Sequence, residues 1–174
     1  MKFAARCINI YLLPAALVLV SAACKSPEQR KHSRELSTVR FHLEVNPDST
    51  GRSTPVPIFR ERPVLVNVER ASFLDETHVE HAWVEDSVGS HVIKIQFNST
   101  GRTLLEGVTA SNSGRRIAVG SQFPEPRWLA APVITQHIAD GVFIFTPDAT
   151  REEAERIVRG LNNAAIKLKK ASNI

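Results

Sequence analysis

Cysteine, aromatic residues and closely spaced glycines are all scarce in this chain of 174 residues. It has two cysteines, Cys7 and Cys24, and eight glycines, of which no two lie closer than six residues apart. That spacing excludes the glycine-rich phosphate loops of nucleotide-binding proteins, and no G-x-S-x-G hydrolase motif occurs. With 6% aromatic but 43% apolar residues, the composition is still that of a globular chain.

The longest apolar run stands at the N-terminus, between residues 8 and 20. Lys2 and Arg6 precede it, and three small residues, 21–23, separate it from Cys24. A basic start, a short apolar segment and small residues before a cut site are typical of a secretory signal peptide. The sequence ending at Cys24 resembles a bacterial lipobox, which implies cleavage after residue 23 and a lipid on the Cys24 sulfur.

Two other interpretations of the N-terminus stay open. Ser21 stands where a lipobox usually has an aliphatic residue, so the product could be a plain secreted protein without lipid. The run could also stay as a membrane anchor, although it reaches the short limit of about 17 residues for a span only when counted through Cys24, and Pro14 would kink it. The lipoprotein interpretation predicts a lipid anchor in the cell envelope, on the extracytoplasmic side. Lys25, in place of an inner-membrane retention Asp, leaves the choice of membrane open.

Cleavage at this point would change the charge balance. The whole chain has a formal net charge of +4, from 22 basic and 18 acidic side chains. Loss of Lys2 and Arg6, with no acid, would leave 20 basic against 18 acidic side chains. A nearly neutral chain lacks the basic footprint of a nucleic-acid-binding protein, so we expect no nucleic-acid partner. Cys24 would be the only cysteine left, which excludes a disulfide and a cysteine-based metal site.

Three segments follow from the composition. A signal peptide covers residues 1–23, a lipidated Cys24 with a charged flexible tether covers 24–37, and a folded domain covers 38–170. The alternation of apolar and polar residues predicts several short strands in the domain, at 38–45, 63–70, 82–86, 91–98, 115–120 and 141–146. Residues 123–132, with three prolines, are predicted to be irregular, and 135–140 are predicted to form one helical turn.

Two stretches of the domain carry helix signals. Residues 99–112 have helical spacing, with Ser99 or Thr100 as the predicted N-cap. Thr150 and Glu153 form a capping-box pattern that opens a last amphipathic helix. Together with the strands, these helices predict an α+β fold, a two-layer sandwich with two main helices on one face of a largely antiparallel sheet.

An ordered series of small motifs runs through the second half of the chain. It comprises Phe97 and Ser99-Thr100-Gly101, then Thr109, Gly114 and Ile117-Ala118-Val119, then Ala131-Pro132, Ile134, Ile138 and Gly141, and finally Thr150, Glu153, Ala154, Leu161 and Asn162. In order and spacing the series resembles the head part of the first periplasmic domain of SecD, an export-accessory membrane protein. The likeness is closest over residues 63–163, with a weaker part from Pro63 to Val84.

This resemblance implies the fold more strongly than the function. In SecD, membrane-spanning helices with charged residues couple proton flow to export, and the chain shows no further spanning segment after residue 24. The resemblance therefore implies a stand-alone head on a lipid tether, without the proton-driven motor. It also implies contact with emerging polypeptide or with components of the Sec translocon.

Catalytic and metal-binding residues are hard to find in the sequence. His78, Glu80 and His81 form the only histidine cluster, and on a helix they could bind zinc. They fall at a predicted junction between a turn and a strand, so we expect a solvated surface there instead. We predict no catalytic residue, no metal site and no cofactor.

Three residues are candidates for an interaction surface. Arg115 and Arg116 begin a predicted strand and could face an acidic partner or lipid headgroups, or could simply form a solvated strand end. Trp128 could be an exposed anchor for a partner, or could pack against the last helix.

Two functions follow from these observations. The first is a non-enzymatic lipoprotein that binds polypeptide or an export or envelope partner, with addition of a strand to an exposed sheet edge as one mode. The second is a structural envelope lipoprotein that uses the same fold without a role in export.

Overall fold

The computed structural model describes residues 34–47, 51–122 and 125–172, together with His32. The predicted signal peptide and Cys24 lie outside the described residues. The described residues from Arg34 onward form one unit, and every element below belongs to it. Among the described helices, none combines the length and the apolar character needed to span a membrane.

The described fold has nine short antiparallel strands and two α-helices, of which the first follows the sixth strand and the second follows the ninth. The strands are β1 (Val39–Leu43), β2 (Ser53–Ile58), β3 (Val64–Glu69), β4 (Leu74–Asp75), β5 (Val79–Ser87), β6 (Ser90–Phe97), β7 (Ile117–Gln122), β8 (Pro126–Ala130) and β9 (Val142–Phe145). The helices are α1 (Ser99–Ser111) and α2 (Arg151–Ser172), and a single 3-10 turn covers Glu76–His78.

These strands pair in three antiparallel groups. One sheet has the order β4-β1-β7-β8, a second has the order β5-β6-β9, and β2 and β3 form a two-stranded hairpin. The α+β class predicted from the sequence is therefore confirmed, with antiparallel sheets and two helices. The pairing divides the predicted sheet into separate groups, because the order of strands depends on long-range contacts that alternation does not contain.

Strand β7 is buried on both faces. Ile117, Ala118 and Val119 are all fully buried, whereas a half-buried strand would expose every second side chain. Ile117 and Val119 face the main core, which includes Phe41 of β1. Ala118 faces the opposite way, into a second small cluster built by the β2–β3 hairpin. The hairpin therefore forms an extra layer over the four-stranded sheet.

Both helices begin at side-chain caps. The Thr150 hydroxyl accepts the Glu153 N–H at 3.2 Å, and a Glu153 carboxylate oxygen accepts the Thr150 N–H at 2.9 Å, which confirms the predicted capping box. For α1 the N-cap is Asn98, whose side-chain oxygen accepts the Gly101 N–H at 2.9 Å. The prediction of Ser99 or Thr100 was thus wrong by one or two residues, because all three polar side chains suit a cap.

Three further segments differ from their predicted description. Residues 126–130, predicted to be irregular, form strand β8, since Pro126 is its first residue and needs no ladder donor there. No helical turn forms over 135–140; the chain there is irregular and contacts α1, where the Thr109 hydroxyl accepts the Ile138 N–H at 3.0 Å. Ser37, in the predicted tether, is 1% exposed, and the Glu35 carbonyl accepts the Asn163 side-chain N–H at 3.0 Å.

Candidate binding surfaces

Trp128 lies on β8, flat against the backbone of β7. A Cβ added to Gly120 would stand 3.4 Å from the Trp128 ring, so the indole covers the strand at this glycine. The His42 ring meets the indole edge-on, with 5.2 Å between ring centroids. His42 is itself held by its Nδ1–H, which donates to the Glu69 carbonyl at 2.8 Å. Trp128 is thus half-buried and packs against the second cluster.

Arg115 and Arg116 lie at the other end of β7. The Arg116 N–H donates to the Glu44 carboxylate at 2.8 Å, and its guanidinium lies 4.0 Å from the same carboxylate. Arg115 is exposed and lines a hollow of about 340 Å³ with Glu44, Leu65 and Asn67. Arg116 therefore has an acidic partner within the fold, while Arg115 is open to solvent.

The three candidate residues do not form one patch. Trp128 pairs in register with Gly120, four residues along β7 from Arg116. At the rise of a strand this separates them by roughly 13 Å. Trp128 lines a different hollow, of about 250 Å³, with Arg40, His42 and Gly120. The hairpin cluster over Ala118 lies between the two ends.

The side chains of His78, Glu80 and His81 do not point toward one another. His78 Nδ1 lies 2.9 Å from the Asp75 carboxylate in the capping box of the 3-10 turn. The His81 ring stacks on Trp83, with centroids 5.6 Å apart, and the Glu80 carboxylate lies 3.5 Å from the Lys169 ammonium. Within residues 34–47, 51–122 and 125–172, no three His, Cys, Asp or Glu side chains stand close enough to hold a metal ion.

A further groove, absent from the sequence analysis, lies beside strand β9. It has a volume of about 420 Å³, with residues 132–140 as one wall and the β9 residues 142–144 as the other. We call it the β9 groove. Val133 is 44% exposed on the first wall, and Ile144 is 49% exposed on the second. The sequence predicted a strand at 141–146, but the edge position of β9 follows only from its pairing with β6 alone.

Charged side chains join the β2–β3 hairpin to the start of α2. The Glu153 carboxylate accepts from Arg60 at 3.1 Å and from Arg127 at 3.2 Å. The Arg60 N–H donates to the Asp148 carboxylate at 2.8 Å. Partial burial of Glu153 would raise its pKa. The Thr150 N–H and the two guanidinium groups outweigh this effect and hold the pKa below its ordinary value of 4.5.

Glu153→Gln is expected to lower the free energy of unfolding by about 1 kcal/mol at neutral pH, since it keeps the cap acceptor but removes the charge. A carboxyl whose pKa is lowered on folding stabilises the protein above its unfolded pKa, and this stability is lost as the pH falls through the folded pKa. The difference between the two proteins, measured by urea denaturation, should therefore persist at neutral pH and disappear in acid, below 4.5.

Glu152→Gln is the matched control, because Glu152 lies in the same helical turn and is exposed. It should change the stability only slightly, by about 0.3 kcal/mol from the helix dipole. An equal and pH-independent loss in both variants would contradict a role for the Arg60–Glu153–Arg127 contact.

The comparisons with known proteins converge on one family. The model of the SecDF P1 head subdomain matches residues 53–168, which is more than half of the chain. A comparison with curated proteins finds no significant match.

Two solved structures share the fold. One belongs to work on the membrane component SecDF that enhances protein export, with a TM-score of 0.55, 19% identity, and coverage of 81% of this chain and 70% of that one. The other is SecDF in a super-membrane-facing form, with a TM-score of 0.55, 19% identity, and coverage of 80% of this chain. The chain spans only 21% of that second protein.

Proposed function

We propose that this chain, which belongs to the SecDF P1 head subdomain family, is a non-enzymatic binding module of the cell envelope that contacts polypeptide during export. It would be held at the extracytoplasmic face of a membrane by a lipid on Cys24. The family match over residues 53–168 is the observation that carries this proposal. SecDF is described as a membrane component that enhances protein export, and a head subdomain is the part that this chain shares.

The described surface is compatible with a binding role. The β9 groove and the hollows beside Arg115 and Trp128 are open, and each mixes apolar and polar side chains. Their volumes of about 250–420 Å³ fall at the lower end of the range of binding clefts. A small cleft of mixed character suits a few side chains of a polypeptide.

In-cell cross-linking tests the proposal. A photoreactive residue is placed at Arg115, Arg116 or Trp128 of the full chain, and the same residue at Val88, on the tip of the β5–β6 hairpin, serves as the control. An epitope-tagged secretory protein, stalled during export, is the defined target. We expect the target or translocon subunits to be captured from the three test positions and not from Val88.

A Cys24→Ala variant separates binding from location. It should lose labelling by a palmitate analogue and leave the membrane fraction, and its capture of the stalled protein should fall with it. Capture of only cell-wall or outer-membrane components would contradict the export role and support a structural envelope protein. Equal capture from Val88 would show that no specific surface is involved.

A further inference from the structure

The outer edge of β9 has backbone groups without partners. In β6 and β9 the Phe97 N–H donates to the Gly141 carbonyl at 3.0 Å, and the register continues with Ile95 opposite Phe143. In an antiparallel ladder every second residue points its N–H and C=O to the neighbouring strand. Phe143 and Phe145 therefore bond to β6, while Val142 and Ile144 point their backbone groups away from it.

An independent contact supports this assignment. On the far side of β6, the Asn162 side chain bonds to both the N–H and the C=O of Ala82 in β5, each at 2.8 Å. Ala82 must then point away from β6, so its register partner Ile95 is free to bond to β9. Because Ile95 bonds to Phe143, the backbone groups of the next residue, Ile144, point away from β6 on the opposite edge of the sheet.

Only one of the outward groups near the start of β9 has a partner. The Val142 N–H donates to the Asp140 side chain at 3.0 Å. In the part of the chain that the structure describes, the Val142 carbonyl and both backbone groups of Ile144 have no hydrogen-bond partner. Asp140 therefore occupies the N-terminal end of the β9 edge, and the first backbone group open to an added strand is the Val142 carbonyl.

The wall of the β9 groove that faces β9 also has backbone N–H and C=O groups that point away from their neighbouring strand. Val133 forms an isolated bridge with Arg116, flanked by bonds from the Ile134 N–H to Arg115 and from the Ile117 N–H to Pro132. In such a pair the bridging residue points its own N–H and C=O away from the partner strand. Val133 therefore turns both groups outward, on the wall opposite Ile144.

The charged side chains around this groove have partners within the fold. His137 and Glu106 lie 3.4 Å apart at the rim, and the Ala139 carbonyl accepts from Arg102 at 2.7 Å. The exposed side chains of Val133 and Ile144 are apolar and β-branched. The groove thus combines unpaired backbone donors and acceptors with apolar side chains, which suits an uncharged extended chain.

We propose that the β9 groove binds an extended segment of unfolded polypeptide, which adds to β9 as a new edge strand and pairs with Ile144. This inference rests on the proposed function and assigns it a site and a mode of recognition. Recognition through the backbone is tolerant of sequence, and β-branched side chains on the ligand are favoured by contact with Val133 and Ile144.

The test compares peptide binding to the full chain, kept in mild detergent, and to Ile144→Pro. The probe is a fluorescent peptide of alternating valine and threonine, and a second probe is the same peptide N-methylated at every other residue. Proline removes the outward N–H without breaking a bond to β6, and it is tolerated on such an edge. We expect affinity for the first probe to fall about tenfold, the effect of one lost hydrogen bond.

Ile144→Thr is the control, since it keeps the N–H and a β-branched side chain and should bind within about twofold of the original protein. Amide exchange at Ile144 and Val133 should slow when the first probe is added and not when the N-methylated probe is added. These amide measurements decide the question if thermal melting shows that Ile144→Pro is unfolded.

The possible failures are distinguishable. If the original protein binds neither probe, the proposed function fails and this inference with it. If both probes bind alike and Ile144→Pro binds as well as the original, peptide binding stands but the β9 groove is not its site. If Ile144 is already protected without peptide, increasingly at high protein concentration, a second copy of the chain is the occupant and the peptide assignment is overturned.

Discussion

Asn162→Ala is expected to lower the free energy of unfolding by about 2–4 kcal/mol. The Asn162 amide takes the place of a neighbouring strand, because it donates to the Ala82 carbonyl and accepts from the Ala82 N–H, both at 2.8 Å. Ala82 is 1% exposed, so water cannot replace these bonds without opening the contact between α2 and β5. Truncation leaves two buried backbone groups without partners, and each costs about 1–3 kcal/mol.

Urea denaturation of Asn162→Ala and Asn162→Asp measures this effect. Aspartate keeps the acceptor for the Ala82 N–H and loses the donor for its carbonyl, so its loss at acidic pH, where it is protonated, should be smaller than at neutral pH. A change below about 0.5 kcal/mol for Asn162→Ala would place Asn162 among ordinary surface substitutions and contradict its role at the strand edge.

Gly160→Ala and Gly107→Ala are expected to change stability in opposite directions. Both glycines lie inside helices, where alanine is favoured by about 1 kcal/mol. A Cβ at Gly107 meets no atom within 4 Å, so the full gain is expected. A Cβ at Gly160 would stand 2.7 Å from the Ser37 backbone nitrogen and 2.3 Å from its hydroxyl oxygen. We expect overpacking to outweigh propensity there, with a loss of about 1–3 kcal/mol.

Thermal melting compares the two variants, and limited proteolysis locates the cause. Cleavage in residues 34–37 should become faster in Gly160→Ala and stay unchanged in Gly107→Ala, because only the first displaces Ser37 from α2. If Gly160→Ala is as stabilising as Gly107→Ala, the chain before β1 does not pack against the helix as described.

Local signals in the sequence were enough to predict many elements and their caps. The Thr150–Glu153 pair marks the start of α2, and the alternation of Val39 and Phe41 marks β1, because these patterns involve neighbours in the chain. Trp128 was harder to predict. The prolines around it suggested an irregular segment, yet Pro126 is compatible with the first position of an edge strand.

The candidate surfaces depended on contacts that the sequence does not contain. Ala118 is buried because the β2–β3 hairpin, about sixty residues earlier in the chain, covers it. Arg116 could be predicted at a strand end, but not its contact with Glu44, seventy-two residues away. The outward backbone groups of Ile144 follow from the partner and register of β9. These involve residues far apart in the chain, as does the packing of Phe143 on Phe41, with ring centroids 5.4 Å apart.

The two borders of the β5-β6-β9 sheet are unlike each other. Along β5, the Asn162 side chain of α2 takes up both backbone groups of Ala82, and Lys169 and Arg151 of the same helix pair with the side chains of Glu80 and Asp86. In the part of the chain that the structure describes, the β5 border is thus occupied at Ala82, whereas both backbone groups of Ile144 on the β9 border are open. Polymerisation through a sheet needs two receptive borders on every copy, one for the copy before and one for the copy after. Asn162 at Ala82 therefore hinders growth through the β5 border and favours a closed pair of copies joined through β9 over a fibril.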